Sequence, residues 1–276
     1  MRTAAICGTA GLVLALAVAA APAALIASYN FEEASGATVI DLAGGDDNGT
    51  IVNNATRIYN AARGSQVLDL NGSNQYVNLG GSQDMLQNVA GATLALWAYV
   101  RDLLGTSGNR TILGLTTTSG GKARASIGFE NASDKMRGGG RAADGESSMS
   151  VATDDVAFTL NEWHHIAVVN NYSSVAQTDA PAKSITLYID GQQAFQRVGG
   201  IFTGGDVTSN TASLYAAIGA LGNATPTEYT NALVDDVMIF NTTLSQSEVG
   251  ALVPEPATMA LVGVGLGAML LRRRLR

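Results

Sequence analysis

Cysteine is nearly absent. The only one in 276 residues is Cys7, inside an apolar N-terminal stretch. Beyond that stretch the chain can form no disulfide, zinc–thiolate site or cysteine nucleophile. Histidine is almost as scarce, with two adjacent residues, His164 and His165. There is no G-x-S-x-G elbow for a serine hydrolase and no H-E-x-x-H zinc helix. Charged residues make up 14% of the chain, and no long stretch has a helical period, which argues against long solvated helices. The net charge is −7, and Arg2, Arg272, Arg273, Arg274 and Arg276 sit at the extremes, so the stretch between them is more acidic still. Such a surface does not suit nucleic acid, whose phosphates need basic side chains. A metal cation or a neutral glycan suits it better.

Glycine is plentiful, at 32 residues, and hydrophobic residues reach an ordinary 46%. Short apolar or alternating runs are broken by Gly, Asn and Asp. They predict strands at Leu25–Phe31, Val67–Leu70, Tyr76–Leu79, Thr93–Val100, Thr111–Leu115, Ala125–Glu130, Ser148–Ala152, His164–Val169, Ser184–Ile189, Ala216–Ala220 and Ala232–Phe240. Asp190-Gly191 after an alternating run is a hairpin signal. Arg137-Gly138-Gly139-Gly140-Arg141 reads as a flexible surface loop. Two short helices are predicted, one around Ser82–Asn88 and one at Ser245–Leu252. In the second, Ser245 and Glu248 form an S-x-x-E capping box and Pro254 ends the run. No internal repeat or linker interrupts residues 25–252. The pattern predicts a single all-β domain, a sandwich or barrel.

The two ends differ from this body. Residues 1–24 join Arg2 to an apolar run and the exit Ala21-Pro22-Ala23-Ala24, the pattern of a secretory signal peptide. Residues 253–276 carry Pro254-Glu255-Pro256, an apolar stretch from Ala257 to Leu271, and a terminal arginine cluster. As a helix that stretch spans about 22 Å, short of the ~30 Å hydrocarbon core. The arginines would stay on the cytoplasmic side, leaving the body outside. This three-part end resembles the PEP-CTERM sorting signal. The resemblance implies an exosortase-type enzyme as partner, at least transient membrane attachment by a transmembrane helix, and delivery to the cell envelope or beyond.

Five segments of the body occur in the order of a known family. They are Ala27–Glu33 with the Asp41–Thr50 loop, Val67–Val77, Thr93–Val100 with Trp97, Trp163–Val169 followed by Leu187–Gly191, and Leu233–Asn241 followed by Ser245 and Glu248. Together they resemble the laminin-G-like, concanavalin A-like jelly-roll domains of bacterial surface proteins. Leu70-Asn71-Gly72 stands where that family has Phe-Asp-Gly. The resemblance implies two antiparallel sheets packed face to face, a fold that hosts lectins, adhesion modules and glycosidases alike.

It also implies a structural calcium ion between the first loop and the last strand. Asp41 and Asp235 would be its ligands, with further oxygens from Asp46 and Asn48. Asp and Asn also favour turns for purely local reasons. Trp97 and Trp163 sit in strand motifs and read as core residues. His164 and His165 should face opposite sides of their strand. The acidic pairs Glu32-Glu33, Asp46-Asp47, Asp154-Asp155 and Asp235-Asp236 are all adjacent in sequence, so alternation should keep either carboxylate of a pair from serving the same bond. The expectation is a non-enzymatic exported module that binds glycan or exopolysaccharide. A polysaccharide hydrolase of the same fold and a purely structural matrix protein are the alternatives.

Overall fold

The computed structural model describes residues 24–80, 85–102, 108–117, 123–130, 135–143, 149–200, 202–208, 214–222 and 225–253. Apart from Ala24 and Val253, the expected signal peptide and sorting segment lie outside these residues. Sixteen strands and one helix run through the described residues. The first eight strands are β1 (Leu25–Tyr29), β2 (Thr38–Val39), β3 (Gly49–Val52), β4 (Thr56–Asn60), β5 (Ser65–Asn71), β6 (Tyr76–Asn78), β7 (Gly91–Asp102) and β8 (Arg110–Thr117). They are followed by β9 (Ala123–Phe129), β10 (Lys135–Gly140), β11 (Met149–Ala157), β12 (Trp163–Asn171), β13 (Ser184–Ile189), β14 (Gln192–Val198), β15 (Leu214–Ile218) and β16 (Asn231–Phe240). The helix α1 spans Gln246–Ala251.

The strands form two eight-stranded antiparallel sheets. One is ordered β14-β13-β12-β7-β16-β5-β4, with β1 also paired to β16; the other is β11-β10-β9-β8-β15-β6-β3-β2. Alternation along β7 shows why they stack. Leu94, Leu96, Ala98 and Val100 point into the space between the sheets, where Ile166 and Val168 of β12 join Leu113, Leu115, Ile127 and Phe129 from the other sheet. Each large side chain buried there contributes on the order of 2 kcal/mol. The intervening residues of β7, among them Ala95, Trp97 and Tyr99, face outward. A smaller cluster covers one end of that outer face, where Val249 of α1 and Leu252 pack over Ala95, Ala167, Val169, Tyr188 and Phe240. The predicted capping box of α1 is present: the Ser245 hydroxyl accepts from the Glu248 N–H, and the Glu248 carboxylate accepts from the Ser245 N–H.

Two sequence expectations fail here. The glycine run expected as a surface loop is β10, an interior strand of the second sheet. A Cβ on Gly138 would lie 2.8 Å from Leu187 Cδ1 and 3.0 Å from Val168 Cγ1, so the missing side chain is what lets the two sheets meet at this point. In the expected helix at Ser82–Asn88, the described part is a turn. Leu86 and Asn88 have φ of 59° and 55°, which no right-handed helix allows. Met85 and Leu86 still contribute to the core, anchored where Thr208 donates its hydroxyl to the Leu86 carbonyl.

Candidate functional site

The open side of the sandwich, where edge strands β14 and β11 come together, holds a pocket of about 280 Å³. The hairpin between β13 and β14 builds it. Asp190 and Gly191 both have positive φ, 50° and 74°, as a type I′ turn requires. Gly191 is also constrained from outside, because a Cβ there would sit 3.2 Å from Gly250 Cα. The tight turn returns the Asp190 carboxylate to the start of β12. One oxygen accepts the His165 backbone N–H at 2.9 Å, and the other lies 2.8 Å from His164 Nδ1. An ionised carboxylate only accepts, so Nδ1 carries the hydrogen. In neutral His164 that leaves Nε2 as an acceptor, and it has no hydrogen-bond partner among the described residues.

The His164 ring packs against Phe158 with centroids 4.7 Å apart, and Phe158 packs on Phe129 at 5.0 Å. Phe158 and Ile189 give the pocket an apolar floor, while Thr159, His164, Gln192 and Gln193 give it polar walls. Gln192 and Gln193 are solvent-exposed at the edge of the sheet.

His165 points the other way, as alternation requires. Buried on the outer face, it meets the edge of Trp97 at 5.5 Å. Burial lowers its pKa to about 4; Asp190 pulls it upward and the nearby Arg63 pushes it further down. Arg63 caps the whole cluster. Its guanidinium lies 4.3 Å from the Trp97 ring and 5.5 Å from the Trp163 ring, a cation–π arrangement. It also binds Asp235 at 3.0 Å and Asp236 at 2.6 Å. Trp97 and Trp163 are therefore half-buried on the outer face of their sheet and do not join the core between the sheets, contrary to the sequence reading. Their inward neighbours on β7 and β12 fill that core instead.

The Asp235-Asp236 pair departs from simple alternation. β16 pairs with β5 through Val234 and with β1 from Val237, and its register with β7 shifts between Asp235 and Met238. Asp236 takes φ 45° in this bulge, which turns both carboxylates toward Arg63. Burial, and then the charge of Asp236, push the Asp235 pKa upward against the opposing hydrogen bonds from Arg63 and Ser65.

The four residues expected to hold calcium fall into separate sets. Asp41 accepts backbone N–H groups from Ser28 at 2.8 Å, Ala43 at 2.9 Å and Gly45 at 3.2 Å. The Asn48 side-chain oxygen accepts the Asp41 N–H at 2.8 Å. Asp46 is exposed on the same loop, and Asp235 is engaged by Arg63 and Ser65. Both Asp41 oxygens thus already face the positive ends of N–H groups, a poor setting for a cation. No group of three or more His, Cys, Asp or Glu suited to a metal occurs among the described residues. As placed, these residues do not fit a shared calcium ion. The edge pocket itself was missed by sequence reasoning; its only local signal was Asp190-Gly191 next to paired glutamines.

Comparison with known proteins agrees with this architecture. A laminin-G family model, described as the concanavalin A-like lectin/glucanases superfamily, matches residues 71–250. Residues 252–274 match the PEP-CTERM protein-sorting motif, which marks an exported, envelope-sorted protein and implies exosortase processing. Among solved structures, the binding domain of Paraclostridial Mosquitocidal Protein 1 aligns with a TM-score of 0.59 at 16% identity, over 83% of this chain and 51% of that one. Domain 4 of AbnA, an extracellular arabinanase from Geobacillus stearothermophilus solved with arabinotriose, aligns at 0.56 and 19%, over 84% of this chain and 99% of that domain. A Trypanosoma rangeli sialidase, solved with the inhibitor DANA, aligns at 0.56 and 18%, over 88% of this chain and 34% of the sialidase. The chain therefore spans about half of the toxin binding domain and a third of the sialidase, and at these identities the likeness is one of fold. A search of curated protein sequences finds no match.

Proposed function

The chain belongs to the concanavalin A-like lectin/glucanases superfamily, and from that premise we propose that it is an exported, non-enzymatic carbohydrate-binding module with its ligand in the edge pocket. The observation that carries this reading is the lining of the pocket. A sugar ring offers an apolar C–H face and a rim of hydroxyls. Phe158 and Ile189 match the face, while His164, Thr159, Gln192 and Gln193 match the rim. The His164–Asp190 hydrogen bond fixes the imidazole before any ligand arrives, which reduces the ordering cost of binding. The arabinanase domain, matched almost end to end and solved with arabinotriose, supports an oligosaccharide ligand on this fold.

A hydrolytic role is the weaker reading. Retaining glycosidases place two carboxylates on opposite sides of one bond, about 5 Å apart. The converging carboxylates here, Asp235 and Asp236, share the Arg63 guanidinium between them. Before processing, residues 253–276 would hold the protein at the membrane; among the described residues no helix is long and apolar enough to cross one.

The test is a glycan array followed by titration calorimetry against bacterial exopolysaccharide and plant polysaccharide fragments. Binding should be present and should weaken at least about tenfold in His164→Phe and Gln192→Ala, each a loss of about 1.4 kcal/mol. Reducing-sugar release would favour the hydrolase. A blank array together with self-association would favour a matrix protein.

A further inference from the structure

A second hollow, of about 390 Å³, lies beside the first and shares Gln193 with it. It is formed by the 176–181 loop, by β14 and by the first residue of α1. The register of β13 with β14 slips between Leu187 and Tyr188, setting Gln193 opposite Tyr188 and Gln196 opposite Thr186. Gln196 is held by its amide N–H groups, which donate to Thr186 Oγ1 at 3.0 Å and to the Asp179 carbonyl at 3.4 Å. The Asp179 carboxylate accepts the Gln246 N–H at 3.1 Å. Gln177, Gln193, Gln196 and Gln246 all line this hollow, with Pro181 as an apolar surface.

The chemistry of the two hollows is of one kind. Amide side chains both donate and accept, as do sugar hydroxyls, and neither lining contains a lysine or arginine. The charged group in the second lining is Asp179, and Asp190 stands behind His164 in the first. An acidic sugar seated in either hollow would meet these carboxylates with no lysine or arginine in the lining to offset them. Each hollow is near or just above the lower bound of small-ligand pockets, so one alone suits a single ring.

On the carbohydrate-binding reading above, we infer that the two hollows are consecutive subsites for one neutral polysaccharide strand laid across the β14 edge. The first subsite centres on His164 and Gln192, the second on Gln196 and Gln246, and Gln193 contacts both rings. Because both hollows open along the same exposed edge strand, the protein grips internal stretches of a polymer instead of single sugars or chain ends.

Titration of the full chain with neutral gluco-, xylo-, arabino- and manno-oligosaccharides of increasing length, and with uronic-acid oligosaccharides of the same lengths, tests this. Affinity for the recognised series should rise about tenfold once an oligomer reaches the second hollow, then level off. Gln196→Ala combined with Gln246→Ala should abolish that gain and leave the shortest binding oligomer unaffected. Gln193→Glu, which nearly preserves shape, should weaken long oligomers, and Tyr59→Ser at the opposite edge of the sheet should change nothing. Equal affinity at all lengths, with the double variant silent, would overturn the two-subsite inference and leave a single sugar site standing. Preference for uronic-acid oligomers would overturn the neutral specificity. Binding of no saccharide would remove the underlying reading together with the inference.

Discussion

Arg63 holds together side chains from three strands, β7, β12 and β16. It neutralises two carboxylates and lies on two tryptophans, so its loss exposes several groups at once. Asp235 is only 1% exposed, and Arg63→Ala would leave it buried without its cation. Breaking such a pair costs about 3 to 5 kcal/mol, and a urea titration should show a loss of that order. The double variant Arg63→Leu, Asp235→Leu should recover part of it, since no charge is then left buried. His165 makes a pH prediction with a definite sign. Its folded pKa of about 4 lies below the ordinary 6.5, so the unfolded chain takes up the proton first as the solution is acidified. Stability from neutral His165 is therefore complete above pH 6.5, is lost as the pH falls toward 4, and changes no further below that. The loss is up to about 3 kcal/mol. Subtracting the unfolding curves of His165→Gln from those of the parent chain across this window should isolate it.

Among the elements, β10 and α1 make contrasting predictions. Gly138→Val would drive a branched side chain into Leu187 and Val168, and overpacking of that kind costs about 1 to 3 kcal/mol. Ser245→Ala removes only the cap of a short helix and should cost about 1 kcal/mol, with the sheets unaffected; thermal unfolding distinguishes the two. The same elements show what a reader of the sequence could see. The eleven strand windows, the Asp190-Gly191 turn and the Ser245 capping box rest on local chemistry, and each is present in the fold. β10 was hidden because glycine normally weakens a strand, and here its lack of a side chain is the packing requirement. β14 was hidden because an edge strand rich in glutamine has little apolar alternation. The convergence of Asp235 and Asp236 depends on a bulge, and a bulge breaks the period-two rule used to separate them. The pocket joins residues from Phe158 to Ala194 through a turn, so its lining could be known only once that turn was placed.

At the scale of the whole molecule, β16 is the hub of its sheet. It borders β7 along one side and divides its other side between β5 and β1. Three strands thus depend on a segment that is the last of the sixteen in the chain. During synthesis and export, β1, β5 and β7 emerge long before the neighbour that joins them. Until then they present bare hydrogen-bonding edges, and the seam can close only across most of the chain's length. Maturation of this domain is accordingly a terminal event. The polypeptide must travel as an open thread, and a product halted short of Asn231 would be left sticky and prey to proteases, however much of its sequence had already been made.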